Sequence, residues 1–183
     1  MTTPKALQTL HLLDVATFLR IVQWNTRKGI RRFARLVSCS ADGWLYPAVP
    51  ALAALFSIPL AVQLLIVLTV GFTIERVSYY VLKNSFRRNR PPRAIPGYQS
   101  VITASDEFSF PSGHTSGAFL VATALTILLP PVGIAGYLYG WASLVALSRV
   151  ILGVHFPLDT LAGALLGGSL AWVALQLTGS LLL

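Results

Sequence analysis

The chain has 183 residues, enough for one domain, and is 55% hydrophobic with only 11% charged residues, which excludes an ordinary soluble domain and points to an integral membrane protein. Its 14 Lys and Arg against 6 Asp and Glu give a net charge of +8, yet the cations gather beside hydrophobic segments, where anionic lipid headgroups or a phosphate substrate are nearer partners than nucleic acid. One cysteine, Cys39, excludes an intramolecular disulfide and a multi-cysteine zinc site.

The N-terminal stretch does not read as a removable signal peptide, because Lys5 to Arg20 carries His11, Asp14 and Arg20. The first span is expected to direct insertion. Leu7 to Val22 is either a costly sixth span or a surface helix, and the charges of Asp14 and Arg20 favour the surface. From Trp24 to Val37 an apolar stripe of Ile30, Phe33 and Val37 backs onto Arg27, Lys28, Arg31, Arg32 and Arg35, the pattern of an interfacial amphipathic helix. The expected division is therefore a basic amphipathic segment over residues 1–40 and a transmembrane domain over residues 41–183.

A helix needs about 20 apolar residues to cross the bilayer. Four or five segments qualify: Trp44 to Ile58, short and interrupted by Pro47 and Pro50, then Leu60 to Leu82, Thr115 to Leu129, Val132 to Leu147 and Leu158 to Leu183. The fold class is all-α, a polytopic membrane helix bundle with five or six transmembrane helices. Ser40, Asp42 or both are candidate caps for the first span. Pro59 and Pro130-Pro131 mark tight hairpins, and one long polar loop joins Leu82 to His114. Gly163 and Gly167 allow close helix approach, either inside the bundle or at a dimer seam.

With these hairpins, the basic segment before Trp44, the loop after Leu82 and the turn around His155 share one face. The opposite turns near Pro59 and Pro130 have no Lys or Arg. The positive-inside rule makes the basic face cytoplasmic.

Three strings on that face carry the chemistry: Lys83 with Arg90-Pro91, then Pro111-Ser112-Gly113-His114, then Ser148-Arg149 with His155 and Asp159. A phosphate monoester dianion needs several preorganised donors and positive charges. Lys83 supplies a point charge, while Arg90 and Arg149 supply forks that fit two phosphoryl oxygens. The Pro-Ser-Gly-His string precedes a hydrophobic helix, so it sits at a helix N-terminus that favours an anion. Gly113 admits close backbone approach, Ser112 offers a hydroxyl and His114 stands beside the same oxygens. His155 and Asp159, four apart, fall on one face of a first helical turn, where the carboxylate can accept the Nδ1 proton and present Nε2 as a nucleophile. Taken singly these strings also fit a juxtamembrane basic patch, a helix cap and a surface ion pair.

Together, K-x6-R-P, P-S-G-H and S-R-x5-H-x3-D resemble the signature of the type 2 phosphatidic acid phosphatase family, also called the lipid phosphate phosphatases, as a bacterial membrane member. The resemblance covers roughly Leu60 to Leu183 and implies a bundle commonly of six spans. It implies that His155 attacks phosphorus with help from Asp159, and that His114 protonates the leaving alkoxide and then activates water. It implies that Lys83, Arg90, Ser112, Gly113 and Arg149 bind the phosphoryl oxygens. No cofactor and no metal are expected, since the acids Asp14, Asp42, Glu75, Asp106, Glu107 and Asp159 are too few and too scattered for a two-metal site. Asp106 and Glu107 either reject the wrong substrate or solvate the loop. Phe108 and Phe110 are placed to dip into the interface, and Glu75 with Arg76 to form a polar contact near the membrane surface.

The expected function is a metal-independent lipid phosphate phosphatase of the inner (plasma) membrane working through a phosphohistidine. Its expected partners are a lipid phosphate substrate (phosphatidic acid, phosphatidylglycerol phosphate or undecaprenyl diphosphate) and membrane lipids. The alternatives are a lipid phosphotransferase with the same site and a non-catalytic lipid-binding or transport protein. The mechanism implies a bell-shaped pH profile, with His155 neutral while His114 is protonated. The family habit puts the site on the periplasmic face, against the charge rule.

Overall fold

A computed structural model describes residues 5–129 and 133–179. Its elements are α1 (Lys5–Val22), α2 (Lys28–Cys39), α3 (Ala48–Ala53), α4 (Ile58–Phe86), α5 (Pro91–Ala94), α6 (Gly113–Leu128), α7 (Ile134–Ile151) and α8 (Pro157–Gly179). Among the described residues there is no strand, only an isolated antiparallel bridge between Asn89 and Phe108. The helix bundle read from the hydropathy pattern is the observed architecture.

Three helices, α4, α7 and α8, are long and apolar enough to cross a membrane, and α6 is a shorter apolar helix of 16 residues. Ser57 starts α4 by accepting a hydrogen bond from the Leu60 amide, with Pro59 in the first turn where its missing N–H costs nothing. With 29 residues α4 extends about 44 Å, beyond the ~30 Å hydrocarbon layer, and its last turn carries Lys83 clear of the apolar zone.

The Trp44 to Ile58 segment does not cross as one helix. A 3-10 turn at Gly43–Leu45 is followed by α3, only six residues or about 9 Å long. Pro47 and Pro50 interrupt the run, and the segment instead lies along α4 and α6, with Tyr46 stacked on Phe72 at 4.9 Å. Neither expected cap holds: the Ser40 hydroxyl donates to the Val37 carbonyl, and the Asp42 carboxylate reaches His114. The Pro130-Pro131 hairpin and the end of the chain after Gly179 lie outside the described residues.

The core forms where α6 is enclosed by α4, α7 and α8, around Val67, Leu68, Leu120, Val121, Ala171 and Ala174. Gly163 and Gly167 lie at the α6–α8 crossing. A β-carbon on Gly167 would stand 1.9 Å from the Ser116 carbonyl oxygen, and one on Gly163 would stand 2.5 Å from that of Ser112. The pair therefore serves packing within the bundle.

Helices α1 and α2 pack onto the end of the bundle where α7 finishes. In α1, Phe18 lies edge-on to Phe156 and Tyr98, and Asp14 is buried. In α2, Ala34 packs against Ile151 and Leu152 at the end of α7, while Phe33 and Leu36 remain exposed.

Candidate active site

All three motif strings meet at the end of the bundle where α4 and α7 finish and α6 and α8 begin. The meeting depends on a tight turn after α7. Gly153 takes φ +80 there, and a β-carbon would fall 2.0 Å from the Tyr98 hydroxyl oxygen, so only glycine fits. The chain turns back at once, bringing His155 opposite Arg149 before Pro157 opens α8.

His155 is buried, with Arg90 Nη1 3.2 Å from its Nε2 and Asp159 Oδ2 3.8 Å from its Nδ1. Arg90 donates to the ring, so Nε2 is the acceptor and Nδ1 carries the proton. The Nδ1–carboxylate separation is longer than the direct hydrogen bond expected from the spacing, and the buried Nδ1 has no hydrogen-bond partner among the described residues. Burial, aided by the charges of Arg90 and Arg149 and opposed by Asp159, pushes the imidazole down to about 4.

Asp159 is fully buried and saturated. It accepts hydrogen bonds from the Phe156 amide (2.8 Å), Arg88 Nη1 (2.7 Å) and the Ser109 hydroxyl. Its bond to Phe156 makes half of a capping box, since the third residue of α8 reaches back to the residue before the helix. Asp14 completes that helix start from outside: one oxygen accepts from the Leu158 amide at 2.9 Å, and the other pairs with Arg88 Nη2. Arg88 thus bridges two buried carboxylates and lies 4.4 Å from the centre of the Phe156 ring.

The motif cations lie at this same end of the bundle. Arg149 donates to the Ser38 hydroxyl at 2.6 Å, and its buried Nε has no hydrogen-bond partner among the described residues. Lys83 and Arg90 are both paired with Asp106. His114, in the first turn of α6, has Nε2 3.0 Å from Asp42 Oδ1. Ser112 is set further back: its hydroxyl lies 3.0 Å from that of Thr115, and its amide donates to the Asp159 carbonyl at 3.0 Å.

Of these groups Arg90, Asp106, His114, Arg149 and His155 edge a cavity of about 600 Å³, while Lys83 reaches it through Asp106. At one end stand Arg90, Gly113, His114, Arg149 and His155. At the other the wall is apolar, made by Pro47, Pro50, Leu65, Leu68 and Phe72. A phosphoryl group at the first end and a hydrocarbon chain at the second match this division. Among the described residues, no group of three or more His, Cys, Asp or Glu side chains is gathered to hold a metal ion.

The motif reading missed Arg88, Ser109, Asp14 and Asp42. Arg88 and Ser109 lie beside motif residues, but Asp14 and Asp42 pair with side chains more than 70 positions away. Glu75 and Arg76 form the expected polar contact, with Arg76 donating two hydrogen bonds of 2.6 and 2.9 Å. Glu107 forms an exposed ion pair with Arg93, and Phe110 packs on Phe86.

Comparison with known proteins agrees with this geometry. Residues 59–181 match the model of the PAP2 superfamily. A probable lipid phosphate phosphatase beta of Arabidopsis thaliana is 30% identical over 159 residues, covering 72% of this chain and 73% of that one. An undecaprenyl-diphosphatase of Sulfolobus acidocaldarius is 33% identical over 146 residues, covering 78% and 68%. The crystal structure of Aquifex aeolicus LpxE superposes with a TM-score of 0.75 at 27% identity, covering 90% of this chain and 95% of that one. With its motifs gathered at one end of a membrane helix bundle, the chain belongs to the PAP2 superfamily and is an integral membrane protein.

Proposed function

We propose that the protein is a lipid phosphate phosphatase that hydrolyses a phosphomonoester or a terminal diphosphate of a membrane lipid through a phosphohistidine, without a metal ion. The observation that carries this reading is a cavity that has cations and two histidines at one end and an apolar wall at the other. Relatives named for lipid phosphate and undecaprenyl diphosphate hydrolysis support the substrate class.

In the proposed first step, Nε2 of His155 attacks phosphorus in line and the bond to the lipid oxygen breaks. His114 gives that oxygen its proton. In the second step a water attacks phosphorus and gives its proton to His114. The P–N bond then breaks, freeing phosphate and restoring His155. Arg149, with its unpaired buried Nε, binds the equatorial oxygens together with Lys83, Arg90 and the Gly113 amide, and Ser112 holds the turn that presents them. Asp159 orients His155 through its charge, and Asp42 holds the His114 ring.

The test is phosphate release by purified protein in detergent with EDTA present, over phosphatidic acid, phosphatidylglycerol phosphate and undecaprenyl diphosphate, beside His155→Ala. Release that survives EDTA and is lost in the variant supports the reading. Release that needs a metal, or that persists in His155→Ala, overturns it. Phosphoryl transfer to an added lipid alcohol in place of water would make the protein a transferase.

A further inference from the structure

Asp106 occupies the place that the phosphate reading reserves for substrate. Lys83 Nζ and the Tyr79 hydroxyl both bond its Oδ2, and Arg90 Nη2 bonds its Oδ1. A carboxylate held by a guanidinium on one oxygen and an ammonium on the other repeats the arrangement that two phosphoryl oxygens require. Arg90 Nε also donates to the Asp106 carbonyl at 3.0 Å, which fixes the backbone of the loop while the side chain stays about one-third exposed. The carboxylate can therefore leave the cations for water without dismantling the loop. Its flanking residues, Ser105 and Glu107, are exposed and leave that path open.

The charge balance gives this contact a consequence. Lys83 and Arg90 carry two positive charges, and Asp106 cancels one of them. A dianion that replaces Asp106 gains Coulomb energy over the carboxylate it displaces. A monoanion replaces like with like and gains no Coulomb energy in the exchange. The bulk lipids of a membrane are phosphodiesters with one charge on phosphorus, and they face this site at high local concentration. Burial raises the Asp106 carboxyl, but the bonds from Lys83 and Tyr79 and the charge of Arg90 outweigh it and hold the group well below the usual carboxylate range, so it remains an anion at any working pH.

We propose that Asp106 is a specificity-determining residue: an internal anion that occupies Lys83 and Arg90 and yields to a phosphomonoester or terminal diphosphate dianion but not to a phosphodiester headgroup. The proposal rests on the phosphatase reading for its biological sense, but the binding it describes needs no turnover.

The experiment titrates inorganic phosphate and dimethyl phosphate into the full-length protein in detergent by calorimetry, comparing wild type, Asp106→Asn and Asp106→Glu. It also measures phosphatidic acid hydrolysis in mixed micelles with and without phosphatidylglycerol. Wild type is expected to bind phosphate and to ignore dimethyl phosphate. Asp106→Asn is expected to bind phosphate at least about tenfold tighter, to bind dimethyl phosphate, and to become inhibited by phosphatidylglycerol, with Asp106→Glu remaining close to wild type. Equal or weaker phosphate binding by Asp106→Asn overturns the proposal and makes Asp106 a scaffold for the two cations. Equal binding of both anions by wild type overturns it without any variant, so a poorly folded Asp106→Asn does not protect it. Absence of lipid cleavage by wild type defeats the phosphatase reading alone, since the two anion titrations are still read.

Discussion

His155 sits 2% exposed among cations, and its burial fixes which way its titration moves. With the imidazole held down to about 4, the ring is neutral across the neutral range and protonated only in strong acid. Protonation removes the attacking lone pair, so kcat/KM is expected to fall as pH drops through about 4, once substrate ionisation is allowed for. A pH–rate profile checks this, and an acid limb near the ordinary histidine value would show that the nucleophile is better solvated than this packing allows. Arg88 makes the opposite kind of prediction, about stability. Removing its guanidinium leaves Asp14 and Asp159 buried without their shared counter-ion, an arrangement that costs about 3–5 kcal/mol. Arg88→Ala is expected to lower the melting temperature in detergent sharply and to abolish turnover. Asp14→Asn keeps the acceptor for the Leu158 amide and should lose less. Melting curves and phosphate release on the two variants measure the difference.

At the level of elements, the α6–α8 crossing sets the site's dimensions. Backbone meets backbone at Gly167, where no flexible side chain can move aside, so Gly167→Ala must push the helices apart. Over-packing of this kind costs typically about 1–3 kcal/mol. Because the Ser112 amide bonds the Asp159 carbonyl across the same crossing, activity is expected to fall with stability. Gly179→Ala at the end of α8, with open space around it, should change neither. Thermal melts and turnover on both variants provide the check. The crossing was legible in the sequence as a G-x-x-x-G spacing, and so were α4, α6, α7 and α8, because hydropathy over a long run is a strong signal. The Trp44 to Ile58 segment, short and interrupted by Pro47 and Pro50, was the weakest of the candidate spans, and its helix is only the six residues of α3. The motif residues were legible because each string holds its chemistry within a few positions. Asp14 and Asp42 were not, since nothing local reveals a partner that only tertiary packing supplies. In α1, Asp14 pairs with Arg88, a partner that nothing in its own stretch announces.

Across the whole molecule, the basic face of α2 and the cavity mouth lie at the same end, as Arg35 shows by donating to the Val101 carbonyl in the long loop at 3.0 Å. Which compartment that end faces is read directly by labelling. Thr103 is exposed in the loop, so Thr103→Cys in a Cys39→Ser background is expected to react with a membrane-impermeant thiol reagent on intact cells if the family habit prevails. Reaction only after lysis would give the end to the cytoplasm, in keeping with its cations.

The apolar end of the cavity reaches Leu65, a residue two turns into α4 that is 55% exposed. On the phosphatase reading proposed above, the lipid enters sideways along the plane of the bilayer, keeping its tail in the oil while only its headgroup travels into the protein. For such an enzyme the relevant concentration is two-dimensional. Rates at fixed lipid should fall when inert detergent is added to the same micelles, and turnover should track the mole fraction of substrate on the surface, not its amount per litre.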